Sequence, residues 1–340
     1  MEKSRVTLRD VADLAGVSHQ TVSRVINNSD RVRPETRAKV VSAISELGYR
    51  PNVIARSMVW GKTHTLGCIS PDLTNYVFSK IIESAQAEAR RQGFFILTGS
   101  APALDQVRPL LDELLNRQVD GLMVLNPRDD DRFRLLEPLT QKGLPIVYLK
   151  NTPGDDRVSS VTCNDQKGGY QATKYLIDLG HTSIATILGP VNEECTSDRL
   201  KGYQKALAEI QVTPDKQFLI HGDWTAQSGL EAVEKILTVR PRVSAVFAQN
   251  DRMAIGAIRG LREAGLRVPE DISVIGYDDI PLTSYFDPPL TTIRQPLDQI
   301  GKIGAQLLID AVRHESYSPK TVKTEPNLVE RSTCAPLITL

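Results

Sequence analysis

Between Ser18 and Asn27 the sequence SHQTVSRVIN sets hydrogen-bonding side chains at a spacing suited to reading a nucleic-acid groove. On a helix of 3.6 residues per turn, Val22, Val25 and Ile26 share one face, which leaves His19, Gln20, Ser23, Arg24 and Asn27 on the other. Arginine presents paired donors that match the O6/N7 edge of guanine, and glutamine presents a donor and an acceptor that match the N6/N7 edge of adenine. His19, Gln20 and Arg24, on the first turns, are therefore the expected base readers. Ser18, Thr21, Ser23, Asn27, Arg31 and Thr36 are expected to hold phosphates.

A polar row reads DNA only when a second helix braces it. The preceding stretch Leu8–Ala15 places Val11, Ala12 and Ala15 on one face, and Gly16–Val17 supplies a tight turn before Ser18, a good N-cap. A third helix is announced by Pro34 and Glu35, with Val40, Val41, Ile44 and Leu47 as its expected buried stripe and Gly48 as its end. The spacing by itself is equally compatible with an ordinary helical hairpin that has a solvated polar face.

The longer string is more specific. VADLAGVSHQTVSRVINNSDRVRPETRAKV, followed by ELGYRPN and ARSM, resembles the DNA-binding head of the LacI/GalR family of bacterial repressors. The resemblance implies a head over residues 1–50 and a hinge helix and linker over 51–62. In the family the hinge segment forms when two subunits lie side by side on operator DNA, and its tip wedges into the minor groove. Asn52, Ala55 and Met58 are the hinge positions this implies, with Met58 where leucine is usual. Read without the head, the same segment is a plain linker.

Charge distribution fits a DNA-binding head. The whole chain of 340 residues is formally neutral, but residues 1–62 hold eleven Lys/Arg against six Asp/Glu, which leaves the remainder with a net charge of −5. A basic head suits phosphate contact, and an acidic body resists non-specific adhesion to DNA. Cys68, Cys163, Cys195 and Cys334 form no CxxC pair and the five histidines are scattered, so no metal site, disulfide framework or cofactor is indicated. No 18-residue apolar run exists, and the N-terminal residues carry no apolar leader, so the expected location is cytoplasmic, with no membrane contact.

From Thr65 onward short apolar runs alternate with amphipathic helical patterns. The runs include Leu66–Ile69, Gly121–Leu125, Ile146–Leu149, Val158–Cys163, Ile184–Leu188, Ala245–Ala248 and Ile272–Ile275. Such βαβα alternation predicts an α/β body of doubly wound parallel sheets. The strands are too many for one modest sheet. Two lobes are expected, lobe 1 over about 63–162 and 291–320, lobe 2 over about 163–290 and 321–340. Thr291–Gln295 reads as a strand returning to the first lobe and Leu328–Arg331 as one returning to the second. Ligands bind at the strand C-termini of such sheets.

The body, residues 63–340, also resembles the LacI/GalR family, and through it the periplasmic sugar-binding proteins. The strings that carry this include DLTNYVFSKIIES, VDGLMVL, LGHTSIATILGP, DRLKGY, GDWTAQSG, QNDRMAIGAI, GLRVPEDISVIGYDD and PPLTTIRQP. Carried over position by position, the resemblance implies effector contacts at Asp72, Phe78, Lys150, Arg199, Trp224, Asn250 and Asp278. An indole stacks on the C–H face of a pyranose while charged planar groups pair with vicinal hydroxyls, so a sugar effector is the expectation. Lys150 stands where lactose-responsive members carry an acid, which admits either a neutral or an anionic sugar. Glu193 stands where purine-responsive members carry an arginine, which argues against a purine corepressor.

Three function classes compete. An enzyme on this scaffold would show a glycine-rich phosphate loop or a nucleophile elbow, and SPDL follows the first strand instead. A transport binding protein requires export. A DNA-binding repressor, dimeric on a palindromic operator and released by a sugar, fits the head and the body together. No leucine heptad follows the last body strand, so a dimer rather than a tetramer is expected.

Overall fold

The computed structural model describes residues 6–26, 30–49, 61–125, 132–314 and 317–337, and divides at Thr63 into a small N-terminal unit and a large C-terminal one.

The described residues of the N-terminal unit include the helices α1 (Leu8–Ala15), α2 (His19–Ile26) and α3 (Pro34–Leu47). Thr7 and Asp10 close a reciprocal cap on α1: the Thr7 amide donates to Asp10 Oδ2 at 2.7 Å, and Thr7 Oγ1 accepts from the Asp10 amide at 3.4 Å. Gly16 ends α1 at φ +65°, a left-handed conformation that costs glycine nothing. Ser18 Oγ then accepts from the Thr21 amide at 3.2 Å and starts α2. Val11, Ala12, Ala15, Val22, Val25, Val40 and Ala43 are buried together as a single small core. Val41 is a correction to the expected stripe: it is exposed, and Ala43 takes the inward position because Val40 and Ala43 are one turn apart.

Among the described residues, the C-terminal unit has two six-stranded sheets. In the first lobe, β1 (Thr65–Ser70), β2 (Phe95–Ser100), β3 (Gly121–Leu125), β4 (Ile146–Leu149) and β5 (Ser159–Cys163) are all parallel. α4 (Tyr76–Arg91), α5 (Leu104–Asn116) and α6 (Arg132–Gln141) connect them. In the second lobe, β6 (Ile184–Leu188), β7 (Leu219–His221), β8 (Ala245–Ala248) and β9 (Ser273–Asp278) alternate with α7 (Asp165–Asp178), α8 (Glu194–Ala208), α9 (Ala226–Thr238) and α10 (Asp251–Glu263). Strands buried on both faces read as unbroken apolar runs, and β3, β4, β6 and β8 are buried throughout.

The C-terminal strands correct the expected lobe boundaries. β10 (Thr291–Arg294) does not return to the first lobe: it pairs in parallel with β9, Thr291 opposite Ile275 and Arg294 opposite Asp278. The return is made by α11 (Leu297–Arg313) and by β11 (Thr321–Thr324), which pairs with β5 at the edge of the first sheet. Residues 321–324 therefore lie in lobe 1 and 291–294 in lobe 2. β12 (Asn327–Val329) then crosses back and pairs antiparallel with β10, as expected for the last strand. The chain thus changes lobe three times, at 163–165, 294–297 and 324–327, and these crossings lie together: the Asn164 amide donates to the Thr324 carbonyl at 2.8 Å, and Asn164 Nδ2 to Glu325 Oε1 at 3.1 Å.

Candidate functional site

On α2 the side chains of His19, Gln20 and Arg24 are exposed, opposite the buried Val22 and Val25. Ser18 and Arg31 are exposed, while Thr21, Ser23 and Thr36 are half-buried. Ser18 Oγ and Thr21 Oγ1 lie 3.0 Å apart, so both hydroxyls are already engaged in the cap. The expected phosphate contact Asn27 and the hinge positions Asn52, Ala55 and Met58 lie outside the described residues.

In the C-terminal unit, Asp72, Phe78, Lys150, Arg199, Trp224, Asn250 and Asp278 all line one cavity of about 420 Å³ between the two lobes. They come from the C-terminal ends of the strands, the loops after them and the helices that follow. Asp72 follows β1, and its Oδ1 accepts from the Thr74 amide and hydroxyl, both at 2.7 Å. These bonds outweigh desolvation and hold its carboxyl below the usual range. Phe78 is on the first turn of α4, which is capped by Asn75, whose Oδ1 accepts from the Val77 amide at 2.9 Å. Asn250 caps α10 through Oδ1 to the Met253 amide at 2.8 Å and donates Nδ2 to the Trp224 carbonyl at 3.0 Å.

The floor of the cavity is a buried polar network. Arg199 of α8 donates Nε to Asp165 Oδ1 at 2.8 Å, brings Nη2 to the same oxygen at 2.8 Å, and donates Nη1 to the Gln249 carbonyl. Its guanidinium lies 3.7 Å from the centre of the Tyr277 ring and 5.5 Å from that of Trp224. Lys150 Nζ lies 3.5 Å from Asp165 Oδ2. Burial alone would raise the Asp165 carboxyl, but Arg199 and Lys150 beside it hold it low. Asp278 has the opposite balance: desolvation dominates and pushes its carboxyl up to about 6, although Gln295 Nε2 donates to its Oδ1 at 2.6 Å. Asp251, fully buried beside it, is also pushed up, first by desolvation and then by the Asp278 charge. Lys150 at φ +73°, Trp224 at φ +71° and Asp278 at φ +120° are all outside the comfortable range for a residue with a side chain, and such strain concentrates where a binding site is fixed.

Two members of this network, Asp165 and Gln295, carry no site signal in the sequence, although Gln295 lies in the PPLTTIRQP string; Glu193, which lines the same cavity and accepts from Trp224 Nε1 at 2.9 Å, stands out there only as a departure from purine-responsive members. Each is recognisable only by a partner far along the chain.

A family model described as bacterial regulatory proteins, lacI family, matches residues 7–52, and one described as a periplasmic binding protein-like domain matches residues 173–334. The HTH-type transcriptional repressor PurR of Vibrio atlanticus (strain LGP32) is 37% identical over 329 residues, covering 96% of this chain and 98% of its own. The chain belongs to the lacI family of bacterial regulatory proteins. The repressor named PurR of Edwardsiella ictaluri (strain 93-146) is 39% identical over 332 residues, 97% of each chain. Among solved structures, a lac repressor dimer bound to operator and an anti-inducer is similar with TM-score 0.85 and 31% identity, covering 98% of this chain and all of that one. A complex of the transcriptional regulator CelR with cellobiose is similar with TM-score 0.75 and 36% identity, covering 97% of this chain and all of that one. This chain is thus a LacI-family, helix-turn-helix, DNA-binding transcriptional repressor with a two-lobed α/β body. Among the described residues no helix is long and apolar enough to cross a membrane.

Proposed function

We propose that this LacI-family repressor binds a pseudo-palindromic operator as a two-fold homodimer in the cytoplasm. α2 reads the major groove, and a mono- or disaccharide in the cavity between the lobes acts as the inducer. The observation that carries the effector assignment is the Trp224 ring in the cavity wall, with Arg199, Asn250 and Asp278 around it. An aromatic face beside convergent hydrogen-bonding groups is the chemistry that recognises a sugar ring. The cellobiose bound to the similar CelR supports the same reading. The body is read as a binding module and not as an enzyme: Arg199, Asp165 and Lys150 are tied to one another, and the two raised acids are buried.

A purine corepressor is the second reading, favoured by the PurR designation of the curated relatives. Against it stands Glu193, which lines the cavity and accepts the Trp224 Nε1 proton at 2.9 Å. A thermal-shift panel of mono- and disaccharides beside hypoxanthine and guanine separates the two, because a ligand specific for the folded state raises the melting temperature by mass action. A sugar that raises it and releases operator DNA in a mobility-shift assay establishes the first reading. A purine that raises it and tightens operator binding establishes the second.

A further inference from the structure

Arg199 is buried on α8, and its hydrogen bonds to Asp165 and to the Gln249 carbonyl lie in the plane of its guanidinium. Bonds in that plane fix where the fork points but leave it free to rock about them. Against the flat face stands a second buried residue, Tyr277 of β9, whose ring centre is 3.7 Å from Arg199 Cζ. Tyr277 is fully buried and stays off the cavity that its neighbour Asp278 lines. It can act on a ligand only through Arg199.

The backbone around the pair is built for this contact. α7 and α8 meet backbone to backbone: a Cβ added at Gly169 would lie 2.2 Å from the Arg199 carbonyl oxygen, and one at Gly202 would lie 2.1 Å from the Gln166 carbonyl oxygen. A Cβ at Gly168 would lie 2.3 Å from the Tyr277 hydroxyl oxygen. Glycine at these positions lets the base of the Arg199 side chain, the Asp165 carboxylate on the first turn of α7 and the Tyr277 ring close on one point. Electrostatics favours the same arrangement. Two buried cations, Lys150 and Arg199, share the Asp165 carboxylate, and the negative face of an aromatic ring adds attraction for a guanidinium that water does not reach.

We propose that Tyr277 is the positioning residue of Arg199: the electron-rich face of its ring, and not its hydroxyl, holds the guanidinium in the orientation it presents to the cavity. The consequence for a bound sugar rests on the reading above; the positioning itself does not.

The test uses the full-length protein carrying isotope-labelled arginine, with the Arg199 Nε–H resonance assigned by its loss in Arg199→Lys. Its exchange with solvent should stay within about two-fold of wild type in Tyr277→Phe and quicken about five-fold or more in Tyr277→Leu. Phenylalanines bearing one, two and three ring fluorines at position 277 keep the shape while draining the face, so exchange should quicken stepwise, by about three-fold or more at the end of the series. A ring that only fills space gives a flat series, and a flat series overturns the proposal. A phenylalanine variant as fast as the leucine variant assigns the effect to the hydroxyl and also overturns it. If Tyr277→Leu does not fold, the fluorinated series decides alone. Calorimetry with cellobiose and with ribose then follows the same variants. The affinity of whichever sugar binds should fall in the order in which exchange quickens, and an affinity that stays constant along the series overturns the consequence for the ligand. If neither sugar binds the wild type, that consequence falls, while the exchange series still decides the positioning role.

Discussion

Lys150 Nζ donates to Gln295 Oε1 at 2.6 Å, and the two residues are 145 positions apart. Lys150 follows β4 of lobe 1, and Gln295 lies in the second crossing. Gln295 passes the contact on to Asp278 through its amide, and Lys150 also faces Asp165 on the first turn of α7. The ammonium is thus a pin between the lobes rather than a hand held out to the ligand. Its orientation changes the expectation for an anionic effector, since the charge offered to a phosphate is already engaged.

Lys150→Met removes the pin while roughly keeping volume. Breaking a buried pair by removing one partner costs about 3–5 kcal/mol when the remaining charge is stranded. Asp165 keeps Arg199, so the expected loss is smaller, about 1–3 kcal/mol in urea unfolding. A midpoint unchanged from wild type would show that the Lys150 contacts carry no net stability.

Asp278 gives the body a pH signature. Its folded pKa, about 6, lies above the ordinary value of 3.8, so between those values the folded state binds more protons than the unfolded one. Stability contributed by this group is greatest at low pH and declines as pH rises from about 4 through 6. Asp251 acts with the same sign. Asp278→Asn should flatten this part of the curve, so the variant gains on wild type as pH moves from 5 to 7. Parallel stability curves over that range would contradict it.

Much of the architecture was readable because strands buried on both faces leave unbroken apolar runs: LMVL and IVYL announce β3 and β4 directly. The edges were not. TVKT in β11 pairs on one side only and alternates in exposure, so it carries no apolar run, and β7 has three residues. TTIRQ looked like a return strand because its pattern records that it is a strand and not which sheet receives it. At the site, the cavity-lining residues came from family resemblance at matching motif positions. Asp165, Gln295 and Glu193 escaped because an ion pair across 34 residues or a hydrogen bond across 31 leaves no periodicity to read.

Arg24 stands exposed on α2, on the face away from the core. Arg24→Ala should cost about 1–3 kcal/mol on the specific operator and relax selectivity at one base pair. A mobility-shift titration on operator and on random DNA makes the comparison. Equal losses on both would assign Arg24 to a phosphate.

Met58 falls outside the described residues, and its role rests on the hinge resemblance. Met58→Gly should abolish high-affinity operator binding while leaving sugar affinity within about two-fold, because the wedge acts on the minor groove and not on the cavity. Wild-type operator affinity in this variant would make residues 51–62 a linker and nothing more.

Trp224→Ala joins the cavity to the DNA. If a sugar releases the repressor, it must bind the DNA-incompetent arrangement of the lobes more tightly, and operator must then weaken sugar binding by the same factor. For coupling of about 1–3 kcal/mol that factor is about 5–150-fold. Calorimetry of the sugar with and without saturating operator, beside operator titrations with and without saturating sugar, should return one number from both directions. Removing the indole should weaken the sugar by about ten-fold or more and leave operator affinity in the absence of sugar unchanged, since stacking belongs to the cavity alone. Unchanged sugar affinity in the variant would move the ligand away from Trp224. A ligand that tightened operator binding would keep the cavity and reverse the sign of regulation.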